Sequence, residues 1–247
     1  MNFSGANLLT LLLYAALGAV LFFLPFNLIQ VQGYTPTQAG AANLPLILIL
    51  FFLSRWAGGL VAHYGAKLPL VIGPLVASAG FLLFARPGIA GSYWTTYFPA
   101  MIILGLGMSG VVAPLTTTVM NSISEHQAGV ASGVNNAVSR VASLLSIAVL
   151  GVIAFHVFDI QLQNRLDAAN LPETAKHTVM EQRTRLTQIE MPSGLAADQQ
   201  LELKRSIDES FLSGFRWVMA VSAGLAVLSS ISAWTMIDGK TVKKSEK

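Results

Sequence analysis

Residues 128–154 read AGVASGVNNAVSRVASLLSIAVLGVIA and carry a single charge, at Arg140. A helix needs about 20 apolar residues to cross the hydrocarbon core of a bilayer, so this stretch is long enough to span one. Ser132, Asn136 and Arg140 recur at every fourth position and therefore share one face of the helix. The stretch predicts a transmembrane helix with a polar stripe.

The polar stripe supplies the first candidate site residues, which are Ser132, Asn135, Asn136 and Arg140. A charge at the bilayer centre costs from about 2.5 to over 10 kcal/mol, so we expect Arg140 to face protein or a water-filled cavity. Its role is open between ligand binding and a structural one, in which the guanidinium donates to carbonyls of a neighbouring helix.

Five other segments have the same apolar character. The complete set of predicted spans is 7–29, 39–61, 69–85, 97–120, 128–154 and 215–237. The chain is 53% hydrophobic and 11% charged, whereas soluble domains carry about 25% charged residues. These features predict an all-α membrane protein with six transmembrane helices.

Composition also excludes several classes of function. The net charge of +3 arises partly from Lys240, Lys243, Lys244 and Lys247, which indicate a membrane anchor and no nucleic-acid partner. The chain has no cysteine, its four histidines lie apart in different loops, and it shows no nucleophile–base set. We therefore expect no enzyme activity, no metal site and no cofactor.

The distribution of Lys and Arg predicts the orientation in the membrane. Lys67 and the four lysines of the tail 240–247 both follow an even number of spans, whereas the opposite side has only Arg86 in a short loop, which places both termini in the cytoplasm. The long segment 156–214 is then external. We expect two or three short helices there, which partly extend the fifth and sixth spans and are broken at Pro172 and Pro192.

The fourth span combines glycines with a proline. Gly107 and Pro114 are candidate cavity residues, although small residues and prolines in membrane helices more often give tight packing and a kink.

Three stretches resemble the fourteen-span drug–proton antiporter branch of the major facilitator superfamily. Residues 55–67 are similar to the family's loop motif G-x-L-x-D-R-x-G-x-R/K, with Gly58, Gly65 and Lys67 matching and Arg55 just before it. The motif's Asp and Arg are replaced by Ala62 and His63. Residues 105–116 resemble the glycine-rich fourth helix, and residues 129–151 resemble the penultimate helix.

The resemblance implies the carboxy-terminal half of a major facilitator fold, built from two inverted three-helix repeats. Helices 1 and 4 would line a cavity, helices 2 and 5 would face the other half, and helices 3 and 6 would lie outside.

The resemblance also implies a function, which is proton-coupled efflux of small amphiphilic or drug-like substrates across the cell (inner) membrane. No predicted span contains Asp or Glu, so the proton carrier is expected in another segment. The expected partner is an amino-terminal transporter half or a second copy. The alternative from another class is a membrane scaffold or assembly subunit without transport of its own.

Overall fold

A computed structural model describes the backbone of residues 2–238, together with their side chains except at 55, 57, 58, 60–64 and 125. Six of its helical segments are long and apolar enough to cross a membrane, and no strand occurs among residues 2–238. The predicted all-helical fold with six spans is therefore confirmed. The helices are α1 (Asn2–Gln30), α2 (Pro36–Ala41), α3 (Leu44–Tyr64), α4 (Lys67–Phe84), α5 (Tyr93–Asn121), α6 (Ala128–Ala168), α7 (Glu173–Glu181) and α8 (Ala197–Met236).

The second predicted span, 39–61, is not a single helix. A capping box at Thr35 starts the short helix α2: its hydroxyl accepts from the backbone N–H of Gln38 at 3.3 Å, and its own N–H donates to the Gln38 side chain at 3.0 Å. The chain then turns, and α3 begins at Leu44 with Pro45 in its first turn. Proline fits that position because the first turn of a helix has no partner for its N–H.

The fifth and sixth helices continue well beyond the predicted spans 128–154 and 215–237. α6 has 41 residues and α8 has 40. At 1.5 Å per residue each is about 60 Å long, twice the thickness of a bilayer core. Hydropathy marks where the helix leaves the membrane, but the apolar spacing inside 156–214 lets both helices continue.

The protruding parts of α6 and α8, together with α7, form a folded unit that we call the cap (residues 156–214). Its apolar side chains pack into a second hydrophobic cluster, separate from that of the bundle. Members of this cluster include Phe158, Leu162, Leu166, Val179, Leu203, Ile207 and Phe211. Pro172 is the N-cap residue of α7 and Pro192 lies in the loop before α8, so neither proline interrupts a helix.

The order of helix packing repeats within the chain. α1 packs mainly on α6 and α8, and α5 packs mainly on α3 and α4. The first three spans are α1, α3 and α4, and the last three are α5, α6 and α8. If the two sets are exchanged, the contacts of α1 become those of α5, and α4 and α8 pack together at the centre. This is the arrangement expected of two inverted three-helix repeats.

Serine hydroxyls connect the central helices through their backbones. Ser78 donates to the carbonyl of Ala223 at 3.0 Å, and Ser230 donates to the carbonyl of Val71 at 2.7 Å, both between α4 and α8. Small polar residues of this kind form hydrogen bonds between helices inside a bilayer and also allow the helices to approach closely.

The two described ends of the chain lie at the same face of the bundle. The N–H of Asp238 donates to the side chain of Asn2 at 2.9 Å. Arg216, at the other end of α8, donates to the carbonyl of Pro87 in the α4–α5 loop at 2.9 Å. The loop that follows α4 therefore lies at the face of the cap, opposite the ends. The lysines at 240–247 lie outside the described residues.

Candidate functional site

The polar stripe of α6 divides between two environments. Asn135 points towards α1, where its amide nitrogen donates to the hydroxyl of Thr10 at 2.7 Å and to the Asn7 side-chain oxygen at 3.2 Å. Ser143, two turns further on, donates to the carbonyl of Tyr14 at 3.2 Å. These bonds fix α6 against α1 and leave Asn135 half-buried in the contact between the two helices.

Asn136 and Arg140 point away from the bundle and are exposed, while Ser132 is half-buried between the two environments. Arg140 makes no hydrogen bond or ion pair with any residue that the structure describes. A side chain added at Gly129 or Gly133 would likewise meet nothing within 4 Å. Among the described residues, this face of α6 therefore has no neighbour.

The span 36–54, which comprises α2 and the first part of α3, and the helix α6 are the least buried of the six spans. Within their most apolar windows, 17% and 22% of the residues are buried, compared with 39% to 56% in the other four spans. Large apolar side chains are exposed on both, including Phe51 at 74%, Trp56 at 80% and Leu144 at 70%. These two helices are the ones that the family resemblance assigns to contact with another half.

Gly107 lies in a helix contact and not on a cavity surface. A Cβ at this position would come within 2.4 Å of the backbone nitrogen of Ala77 on α4. Its role in the structure is to let α4 and α5 touch along their backbones, which is a common use of small residues in membrane helices.

Pro114 is also buried in α5, but it lies just before an exposed polar surface. Thr116 and Thr117, two and three residues further on, are exposed, and their hydroxyls donate to the carbonyls of Val112 and Ala113, each at 3.0 Å. Because proline has no N–H, the carbonyl of Gly110 loses its helical partner. The helix is therefore locally weakened beside this threonine surface.

The loop motif between α3 and α4 is described only in part. Gly65 forms the turn with φ +74°, a left-handed conformation that glycine adopts without strain, and Lys67 starts α4. The side chain of Arg55 and the surroundings of Gly58 fall outside the described part, although the backbone of both residues belongs to α3.

A buried polar pair joins α1 to α5 and was missed in the sequence. Asn27 donates to the hydroxyl of Tyr97 at 2.8 Å, and both side chains are completely buried. Pro25 and Pro99 each lie two residues away, so the pair is placed where both helices lack one backbone hydrogen bond. A lone asparagine inside an apolar span was the available signal, but its partner is 70 residues away in sequence.

Comparison with known proteins places this arrangement in a family. The family model of the Major Facilitator Superfamily matches residues 2–147. The fold is similar to that of a bacterial homologue of the human lysosomal transporter Spinster, crystallised in an inward-facing and unoccupied conformation. The TM-score is 0.60 at 14% identity, and the match covers 94% of this chain and 48% of the other.

Relatives in sequence are proteins of antibiotic resistance. The chain is 27% identical over 238 residues to the tetracenomycin C resistance and export protein of Streptomyces glaucescens, covering 93% of this chain and 43% of the relative. It is 26% identical over 237 residues to the multidrug resistance protein Stp of Mycobacterium tuberculosis, covering 90% of this chain and 41% of the relative. It is 35% identical over 150 residues to the lincomycin resistance protein of Streptomyces lincolnensis, covering 61% of this chain and 31% of the relative.

The chain thus spans less than half the length of these relatives. The match to the family model agrees with the six apolar helices and with the repeated order of helix packing. The chain is a multi-pass membrane protein and belongs to the major facilitator superfamily, a family of transporters and not of enzymes.

Proposed function

We propose that this chain is the carboxy-terminal six-helix bundle of a secondary transporter that exports small amphiphilic or drug-like compounds. The similarity to resistance and export proteins extends over about nine-tenths of the chain, which supports efflux as the direction of transport. Transporters of this fold move one bundle against another around a substrate site between them.

The observation that carries the proposal is the position of Arg140. Its guanidinium lies on the outward face of α6, near the middle of the predicted span, beside Asn136. Left in lipid, that charge would be strongly unfavourable. A second bundle packed on α3 and α6 would cover the charge and would cover the exposed side chains of both helices. The second bundle is an amino-terminal half or a second copy of this chain.

The energy source that we propose is the proton gradient. All acidic residues of the sequence lie outside the six predicted spans, so the group that carries the proton belongs to the second bundle. We further propose a location in the cell (inner) membrane, with the termini in the cytoplasm and the cap outside, on the grounds of the Lys and Arg distribution.

The test is reconstitution of the chain into liposomes with a pH gradient and a cationic dye such as ethidium. The chain alone is expected to give no gradient-driven flux, and flux is expected when an amino-terminal half is supplied. Flux from the chain alone, with crosslinking through Asn136 showing a monomer, would refute the two-bundle mechanism. A chain that binds the amino-terminal half but never supports flux would favour a scaffold.

Substitution of Arg140 tests the interface directly. We expect Arg140→Leu to lower the flux of the reconstituted pair by about tenfold or more, the effect typical of an arginine hot spot in a buried interface. Insertion and thermal stability of the single bundle should not change, because the side chain has no partner among the described residues. Leu228→Ala, at an exposed position on α8, is the matched control and should leave flux intact.

A further inference from the structure

Six of the thirteen phenylalanines of the chain surround one cavity at the cap end of the bundle. The cavity has a volume of about 330 Å³ and lies between α1, α6, α8 and the turn that follows α7. The six are Phe22, Phe23, Phe26, Phe155, Phe211 and Phe215. They come from three separate helices, so the cavity exists only in the folded chain.

The chemistry of the cavity wall is uniform. Every residue that lines it is apolar, including Ile147 on α6 and Leu186 in the cap. Phe22 and Phe23 meet edge to face, with ring centres 5.1 Å apart at 84°. Apolar cavities of about 300–1,000 Å³ are typical small-molecule sites, and offset or edge-on rings attract further aromatic rings.

Leu186 contributes an unusual feature to this wall. Its backbone has φ 56° and ψ −120°, the conformation of the first central residue of a type II′ turn, where glycine is the usual residue. A leucine in this conformation is strained, and strained residues cluster at binding sites and ligand clamps. The Leu186 side chain thus lies in the cavity wall although its backbone conformation is strained.

Neighbouring contacts hold the strained turn in place. Arg183 pairs with Asp159 of α6 at 3.1 Å, and Arg185 pairs with Glu190 at 2.9 Å. The N–H of Glu190 donates to the side chain of Gln182 at 3.1 Å, which closes the turn. The turn is therefore fixed from both sides, and Leu186 is kept over the cavity.

We propose that this cavity binds a compact, uncharged aromatic ring system, either a whole molecule or the ring portion of an amphiphile, with Leu186 closing over it. A charged group would have to remain outside, because the lining offers it no polar partner. Six phenyl rings around a compact volume favour flat rings over a flexible acyl chain, which is the alternative occupant. The inference rests on the proposed function only in treating the ligand as transport cargo.

Photolabelling of the full chain in lipid nanodiscs tests the proposal without transport. The label is 1-azidoanthracene, the competitor is 1-aminoanthracene, and adducts are located by mass spectrometry. We expect saturable adducts within residues 22–26, 151–155 and 211–215, and we expect the competitor to suppress them.

Two variants separate ligand binding from folding. A Cβ at Gly151 would lie 3.8 Å from the Phe23 ring, an ordinary contact, so Gly151→Leu is expected to fill the cavity and lower labelling by about tenfold or more. Gly224→Leu, where nothing lies within 4 Å, is the matched control and should label like the parent chain. Leu186→Gly relieves the strained turn, so it should weaken competitor binding by about tenfold while thermal stability is kept or raised.

Two results would overturn the proposal. One is labelling that does not saturate, or that survives in both Gly151→Leu and Leu186→Gly. The other is labelling of the same peptides by a photoreactive fatty acid that 1-aminoanthracene fails to displace, which would make the cavity a lipid-chain site. Since the assay needs neither a gradient nor a second bundle, absent labelling leaves the transport proposal standing, and absent flux leaves the labelling result standing.

Discussion

Two adjacent asparagines of α6 have opposite surroundings, and they provide a matched pair of variants. Asn135 makes two hydrogen bonds to α1, whereas Asn136 is exposed. We expect Asn135→Ala to lower the free energy of unfolding by about 1–2 kcal/mol, since interhelical hydrogen bonds in membranes contribute about 0.6 kcal/mol each and the partners lose theirs as well. Asn136→Ala should leave it unchanged.

The measurement is the denaturation midpoint of each purified bundle in mild detergent. Equal midpoints for the two variants would show that the α1–α6 hydrogen bonds do not stabilise the bundle. A lower midpoint for Asn136→Ala would show that this side chain has a partner within the single bundle.

A buried acid in the cap predicts a dependence of stability on pH. Asp208 is only 7% exposed, and burial raises its pKa to about 6, although the nearby Lys204 opposes the shift. Arg165, Glu209 and Arg216 line the same polar cleft. Because the folded pKa is above the unfolded value of 3.8, the folded chain binds the proton more tightly. The contribution of Asp208 to stability is therefore greatest below about pH 4 and is lost as the pH rises through about 6.

Asp208→Asn should remove that fall. At pH 7.5 we expect the variant to be more stable than the parent by about 1–3 kcal/mol, because the amide resembles the protonated acid. At pH 4.5 the two chains should differ little. Thermal unfolding at both pH values measures the effect, and Asp198→Asn, at an exposed position on the same helix, is the control. A variant that is less stable at pH 7.5 would show that the carboxylate is stabilised by the cations of the cleft.

The helices α4 and α5 contact each other through their backbones at Gly107, one of the candidate site residues. We expect Gly107→Ala to lower the free energy of unfolding by about 1–3 kcal/mol, because the new methyl group would force the two backbones apart. Gly133→Ala on α6 places the same methyl group where nothing lies within 4 Å and should be neutral in the single bundle. Denaturation midpoints in detergent compare the two.

The same pair of variants distinguishes the two helix surfaces once a second bundle is present. If α6 faces that bundle, Gly133→Ala should weaken the association between bundles while Gly107→Ala should not. Association unaffected by Gly133→Ala and by a larger Gly133→Leu change would place the contact elsewhere.

For the whole molecule, the two described ends lie at one face and the cap lies at the other. We predict that the cap is external. The chain has no native cysteine, so Ala197→Cys in the cap and Asp238→Cys at the end of α8 can each be labelled alone. In intact cells a membrane-impermeant maleimide should modify only Ala197→Cys. Labelling of Ala197→Cys only after permeabilisation would invert the orientation.

The sequence by itself determined how many helices cross the membrane. A bilayer requires every backbone polar group to be satisfied within a helix and requires a long apolar stretch for each crossing, so hydropathy alone counts the spans. It also determined that Arg140 should not face lipid, because the charge of one residue is enough for that argument. The order of its glycine and loop motifs was enough to indicate the family.

Tertiary structure decided what depends on direction and on distant partners. Asn135 and Asn136 are neighbours in the chain, but about 100° of helical rotation gives one of them a bond to Thr10 and leaves the other exposed. Asn27 donates its hydrogen bond to Tyr97, which is 70 residues away in sequence. The six phenylalanines surround a cavity only when three helices pack together. The reason is physical: composition fixes which solvent a segment prefers, whereas contacts between segments depend on how the helices rotate and pack.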